Sequence, residues 1–91
     1  MIRRVVFGEV DRFNRCYIAG LAKNAKLEGS VLLRFVIDPS GAVASGQSEA
    51  ASTMPDKEVV ACVVQELKTL RFPRPNGGFV TVVYPLVFKP G

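Results

Sequence analysis

Phe79 to Phe88 is the most apolar stretch of the chain and the one that most restricts its fold. In an extended strand Val80, Val82, Tyr84, Leu86 and Phe88 share one face, and Phe79, Thr81, Val83, Pro85 and Val87 share the other. A strand apolar on both sides needs a sheet neighbour for its backbone and cover for its faces. Pro85 cannot donate to a ladder and is tolerated chiefly on an edge strand. The remaining residues must therefore provide a partner strand and a covering layer, with this strand at the rim of the sheet.

Ser30 to Ile37 can be that partner, because Val31, Leu33, Phe35 and Ile37 alternate with Leu32, Arg34 and Val36. Asp38-Pro39-Ser40-Gly41 follows as a turn, Pro39 presetting the dihedral of a type I turn and Gly41 free to take the left-handed position. A second strand is expected over Ala42 to Ala50, with Ala44, Gly46 and Ser48 on one face and Val43, Ser45, Gln47 and Glu49 on the other. It is poor in bulk and suits an edge better than a centre.

Two helices supply the cover. Ile2, Val6, Val10, Phe13, Tyr17, Gly20 and Leu21 recur at three- and four-residue steps and predict a helix over roughly residues 4–24, with Arg12, Arg15 and Ile18 off the stripe. A second helix starts at Thr53-Met54-Pro55-Asp56, where Thr53 is the expected cap, Asp56 completes a capping-box variant and Pro55 sits in the first turn. Val59, Val60, Val63, Leu67 and Leu70 make its buried stripe, and the Pro- and Gly-rich run Arg71 to Gly78 breaks it. The order helix, hairpin, helix, strand predicts an α+β domain over residues 1–91. Its three-stranded antiparallel sheet carries two helices packed on one face.

The chemistry-bearing residues point away from catalysis. There is no histidine, and the eight carboxylates are dispersed, with no phosphate-binding glycine loop and no nucleophile elbow. No enzymatic activity, cofactor, small-molecule substrate or metal site is expected, since two cysteines without histidine cannot complete a zinc site. The net charge of +4 is spread along the chain and by itself names no partner. No apolar run approaches the ~18 residues of a membrane span, and the basic-then-apolar start is interrupted by Glu9, Asp11 and Arg12 before a signal peptide could form.

Cys16 and Cys62 lie on the flanks of the two helical stripes, where helices side by side on a sheet would touch. A disulfide between them is expected in preference to two buried thiols, and with it an oxidising compartment. For the last strand two readings stand level. Its second apolar face and Pro85 describe a docking edge for an added peptide strand. Alternatively, Val83 and Val87 pack beneath the Arg71–Gly78 loop.

An ordered set of motifs carries a resemblance. Gly29-Ser30-Val31-Leu32-Leu33-Arg34-Phe35-Val36-Ile37-Asp38-Pro39-Ser40-Gly41-Ala42-Val43 is similar to the hairpin of TonB-like C-terminal domains. Leu70-Arg71-Phe72-Pro73 after the second helix and the closing Pro85-Leu86-Val87-Phe88 complete the pattern. Arg15-Cys16-Tyr17 and Ala61-Cys62-Val63 narrow it to the AgmX/PglI C-terminal subgroup of gliding-motility and related envelope proteins. Leu70-Arg71 stands where TonB itself carries a tryptophan, so the likeness extends to the fold and not to TonB's receptor specificity.

The resemblance implies a periplasmic domain cut from a longer, inner-membrane-anchored, force-transducing protein. It implies binding of an outer-membrane protein's periplasmic peptide, or a cell-wall component, by strand addition at the last strand. Carried onto this chain, the docking residues are Phe79, Val80, Thr81, Val82, Val83, Tyr84, Pro85 and Leu86. The alternatives are a module that binds peptidoglycan or self-associates as a homodimer through its edge strand, and a basic nucleic-acid-binding domain. The last is not expected, because the open face of the first strand offers Leu32, Arg34 and Val36 with no aromatic for base stacking.

Overall fold

A computed structural model describes residues 5–6 and 8–90. Helix α1 spans Val10–Leu21, strand β1 Gly29–Ile37, β2 Val43–Ser48, helix α2 Lys57–Leu67 and β3 Val80–Phe88. The strands form one antiparallel sheet in the order β2-β1-β3. The expected α+β arrangement is present, with β1 central and both helices over the face that carries Val31, Leu33, Phe35 and Ile37, each at most 1% exposed. Phe13 and Tyr17 of α1 and Val59, Val63 and Leu67 of α2 meet them in the core.

The first helix is shorter than its periodicity predicts. Val5, Val6 and Gly8 are helical, but Glu9 at φ −108° leaves the helical region and α1 proper begins at Val10. It ends at Leu21, where the amides of Lys23 and Asn24 both bond back to the Gly20 carbonyl. The Asn24 side chain then accepts from the Lys26 amide and redirects the chain. Ile2 of the predicted stripe lies outside the described residues. Gly20 is needed for packing: a Cβ there would stand 2.6 Å from both Leu27 Cδ2 and Val59 Cγ2, so α1 approaches α2 more closely than alanine allows.

The hairpin closes as its turn residues require. Gly41 sits at φ +90°, and Asp38 Oδ1 accepts from the Ser40 amide, the Ser40 hydroxyl and the Ala42 amide. These bonds, the Ser40 hydroxyl first, hold the Asp38 carboxyl below the usual range, and Arg71 adds to them. Phe72 donates its amide to the Gly41 carbonyl at 2.8 Å and stacks on Phe35 at 5.5 Å between ring centres. The segment after α2 is thereby pinned beside the hairpin.

Two details correct the sequence reading. Strand β2 is bulged: Val36 faces Ser45 while Ile37 faces Val43, so Ala44 is the extra residue. The bulge breaks the simple alternation and turns Val43 to the core face together with Gly46, rather than with Ser45 and Gln47. The cap of α2 is Asp56 and not Thr53, because Asp56 Oδ1 accepts from the amides of Glu58 at 2.9 Å and Val59 at 3.2 Å. Thr53 is taken by β1, which runs on past the end of β2 and leaves backbone groups to satisfy. Ser30 donates its amide to Thr53 Oγ1, and its carbonyl accepts from the Thr53 and Met54 amides.

The helices run antiparallel and are tied at three levels. Arg12 reaches Thr69 Oγ1 at 2.9 Å near one end, and Lys23 reaches Glu58 at 2.8 Å and Asp56 at 3.6 Å near the other. Between them Cys16 and Cys62 form the expected disulfide, with sulfurs 2.01 Å and Cα atoms 5.6 Å apart.

Candidate docking edge

The two outer strands are protected to different degrees. β2 has six residues, carries the bulge, and is bridged at its start by the pairing of Ala42 with Arg71. Short, bulged and covered edges are the ordinary ways of blunting a sheet. β3 has nine residues and pairs with β1 in unbroken register from Val80 opposite Ile37 to Phe88 opposite Gly29.

The direction of β3's backbone groups follows from β1. Leu32 accepts the Glu49 amide at its carbonyl and donates its own amide to Ser52 Oγ, so both its backbone groups point to the β2 side. Successive residues of an antiparallel strand alternate between hydrogen-bonded and non-bonded positions toward a given neighbour. Leu32 faces Pro85 across the β1–β3 pair, which makes that pair non-bonded. The missing N–H of Pro85 therefore points to the outer rim and costs the sheet nothing. By the same alternation Thr81, Val83 and Val87 turn their N–H and C=O groups outward, whereas Val80, Val82, Tyr84, Leu86 and Phe88 bond inward to β1.

Side chains follow the same division. Leu86 and Phe88 are buried under α1, with the Phe88 ring 5.0 Å from that of Tyr17. The Tyr17 hydroxyl donates to the Leu27 carbonyl, and burial, then the nearby Glu28 carboxylate, raises its pKa above the ordinary phenol value. Val80, Val82 and Tyr84 are half-buried on the same side. On the opposite side Thr81 and Pro85 are exposed, Val83 is 50% and Val87 65% exposed, and Phe79 just before the strand is 67% exposed. The Arg71–Gly78 loop thus leaves Val83 and Val87 uncovered, which removes the reading in which they pack beneath it. Arg34 lies beside Val83 in register and is neutralised by Glu49 at 2.5 Å.

The residues named from the sequence, Phe79 to Leu86, therefore divide into an exposed set and an inward-facing set. Val87 on the open face and Ile18 on the outer flank of α1, which is 61% exposed, add apolar surface at this rim and were not among them. The signal for Ile18 was its position off the helical stripe. Among the described residues no charged side chain is buried, and no three His, Cys, Asp or Glu side chains converge. The strongest chemical feature of the surface is an unpaired strand edge flanked by exposed apolar side chains. No family model, curated protein or solved structure matches the chain.

Proposed function

We propose that the domain is a docking module, not an enzyme, that takes an extended peptide by strand addition along the outer edge of β3 over Phe79–Leu86. The observation that carries this reading is the nine-residue outer strand with Val83 and Val87 half or more exposed beside its unpaired backbone groups. A peptide laid there gains main-chain hydrogen bonds for affinity and apolar contacts for specificity. The TonB-like motifs favour a periplasmic setting on an inner-membrane-anchored protein of the gliding-motility or related envelope machinery. The partner is then an outer-membrane protein's periplasmic peptide. The Cys16–Cys62 disulfide supports an oxidising compartment. Tying α1 to α2 also suits a domain under tension, because pulling on β3 is passed to a cross-linked helix layer.

Backbone amide NMR titration with extended peptides from periplasm-facing segments of outer-membrane proteins tests the reading. Saturable shifts concentrated at Phe79–Leu86 are expected. Shifts confined to the helix layer with none on β3, or appearing only with peptidoglycan fragments or an oligonucleotide, would refute strand addition.

A further inference from the structure

Helix α1 overhangs the same rim that strand addition would use. Asn14, Ile18 and Leu21 share one flank of α1 by their three- and four-residue spacing. That flank is opposite to the one bearing Arg12, Cys16 and Lys23, which joins α2. Facing it stand Val87 and Phe88 of β3, with Lys89 at the end, and the groove between encloses about 300 Å³. Ile18 on the α1 wall is a large aliphatic side chain 61% exposed to water, while Val87 lines the groove with its outward backbone groups and turns its side chain to the open face.

We infer that this groove receives one aliphatic side chain of the docked peptide, from the residue that lies beside Leu86–Phe88 on the added strand. The inference rests on the strand-addition reading and specifies the peptide class it selects. Residues paired across neighbouring strands put their side chains on the same face of the sheet. Leu86 and Phe88 face the helix layer, so the residue added next to them faces it too and descends between β3 and the overhanging flank of α1. The outward backbone groups of β3 require an extended main chain as the occupant. The side chains of the groove walls, Ile18, Leu21 and Phe88, require an apolar side chain, and Lys89 at the mouth disfavours a basic one. The selected ligand is an extended segment that is apolar on its open-face positions and carries a single aliphatic residue on its helix-side positions.

Synthetic peptides of alternating threonine and valine, with one helix-side threonine replaced by leucine at successive positions, separate this inference from its parent. The tightest binding is expected when leucine lies beside Leu86–Phe88. Ile18→Ala should weaken that peptide about tenfold and leave the peptide with threonine at every helix-side position unchanged, because half-burying an aliphatic side chain is worth on the order of a tenfold change in Kd. The thermal midpoint of Ile18→Ala should match the parent, since Ile18 is mostly exposed in the free domain. If all peptides bind the β3 edge equally wherever leucine stands, the groove plays no part, although strand addition survives. If none binds, both readings fall.

Discussion

The polarity deduced for β3 makes a sharp prediction for two adjacent prolines. Val82 faces Phe35, and because Leu32 bonds toward β2, Phe35 bonds toward β3, so the Val82 amide is committed to the ladder. Val82→Pro removes that donor and leaves the carbonyl of Phe35, a residue at 0% exposure, without its partner. An orphaned buried acceptor costs about 1–3 kcal/mol, before any strain from the ring. For a domain of this size that is roughly a 5–20 °C fall in thermal midpoint. Val83→Pro removes a donor that points to solvent, as Pro85 already does, and replaces a side chain that is 50% exposed. Its stability should stay within about 1 kcal/mol of the parent, with a small gain available from the stiffer unfolded chain. Thermal and denaturant unfolding of both variants is the assay. Equal destabilisation, or a more harmful Val83→Pro, would refute the assignment of inward and outward residues and with it the docking edge. Val83→Pro should also remain folded while weakening peptide binding, a separation that no core substitution gives.

Other perturbations test what holds the scaffold behind that edge. Opening the Cys16–Cys62 bond, which spans a sequence separation of 46, should lower stability by about 4 kcal/mol in the chain-entropy treatment. Chemical denaturation of a Cys16→Ser/Cys62→Ser variant checks this, and a loss under about 1 kcal/mol would show that the helix layer does not need the cross-link. Gly41→Ala should destabilise strongly, since φ is +90° and the added Cβ would lie 2.1 Å from the Phe72 carbonyl oxygen. Loss of the Phe72 amide's protection from hydrogen exchange is the readout, and unchanged protection would refute it. The Asp56 carboxyl is held below its ordinary range by the Val59 amide first, then by the Glu58 amide and Lys23. Its stabilisation is therefore present in full above the unfolded aspartate value of about 3.9 and is lost as pH falls through the lower folded value. Asp56→Asn keeps a capping side chain but should flatten the decline of stability below about pH 4. An acid branch identical to the parent would assign that decline to other carboxylates.

Much of the architecture was legible because it rests on short-range signals. The alternation of Val31, Leu33, Phe35 and Ile37, the Asp38–Gly41 turn and the two helical stripes each constrain the chain within a few residues. The two cysteines could be paired because each marks the flank of a stripe, and side-by-side helices leave only those flanks to meet. Local pattern failed where a distant element competed. Thr53 looks like a cap by every neighbouring residue, but β1 outruns β2 and draws the threonine hydroxyl to the Ser30 amide, leaving Asp56 to start α2. The bulge at Ala44 is likewise a property of the β1–β2 pair, and nothing in the small polar residues of β2 announces it.

The docking edge shows the same division between local and non-local information. Pro85 placed β3 at a rim, because a proline in a central strand would sacrifice a ladder bond. It did not say which way its missing donor points. That is set by Leu32, whose two backbone groups are claimed by Glu49 and Ser52 in the connection after β2, far from β3 in sequence. Shifting this register by one residue would aim Pro85 at β1, break a ladder bond and bury Val83 and Val87 in place of Val82 and Leu86. The identity of the outward donors, and hence of the surface a peptide could use, is thus set from the far side of β1, by the β2 ladder and the connection that follows it. Ser52→Ala should therefore loosen the register of the strand across β1, read as faster hydrogen exchange at the inward amides of β3.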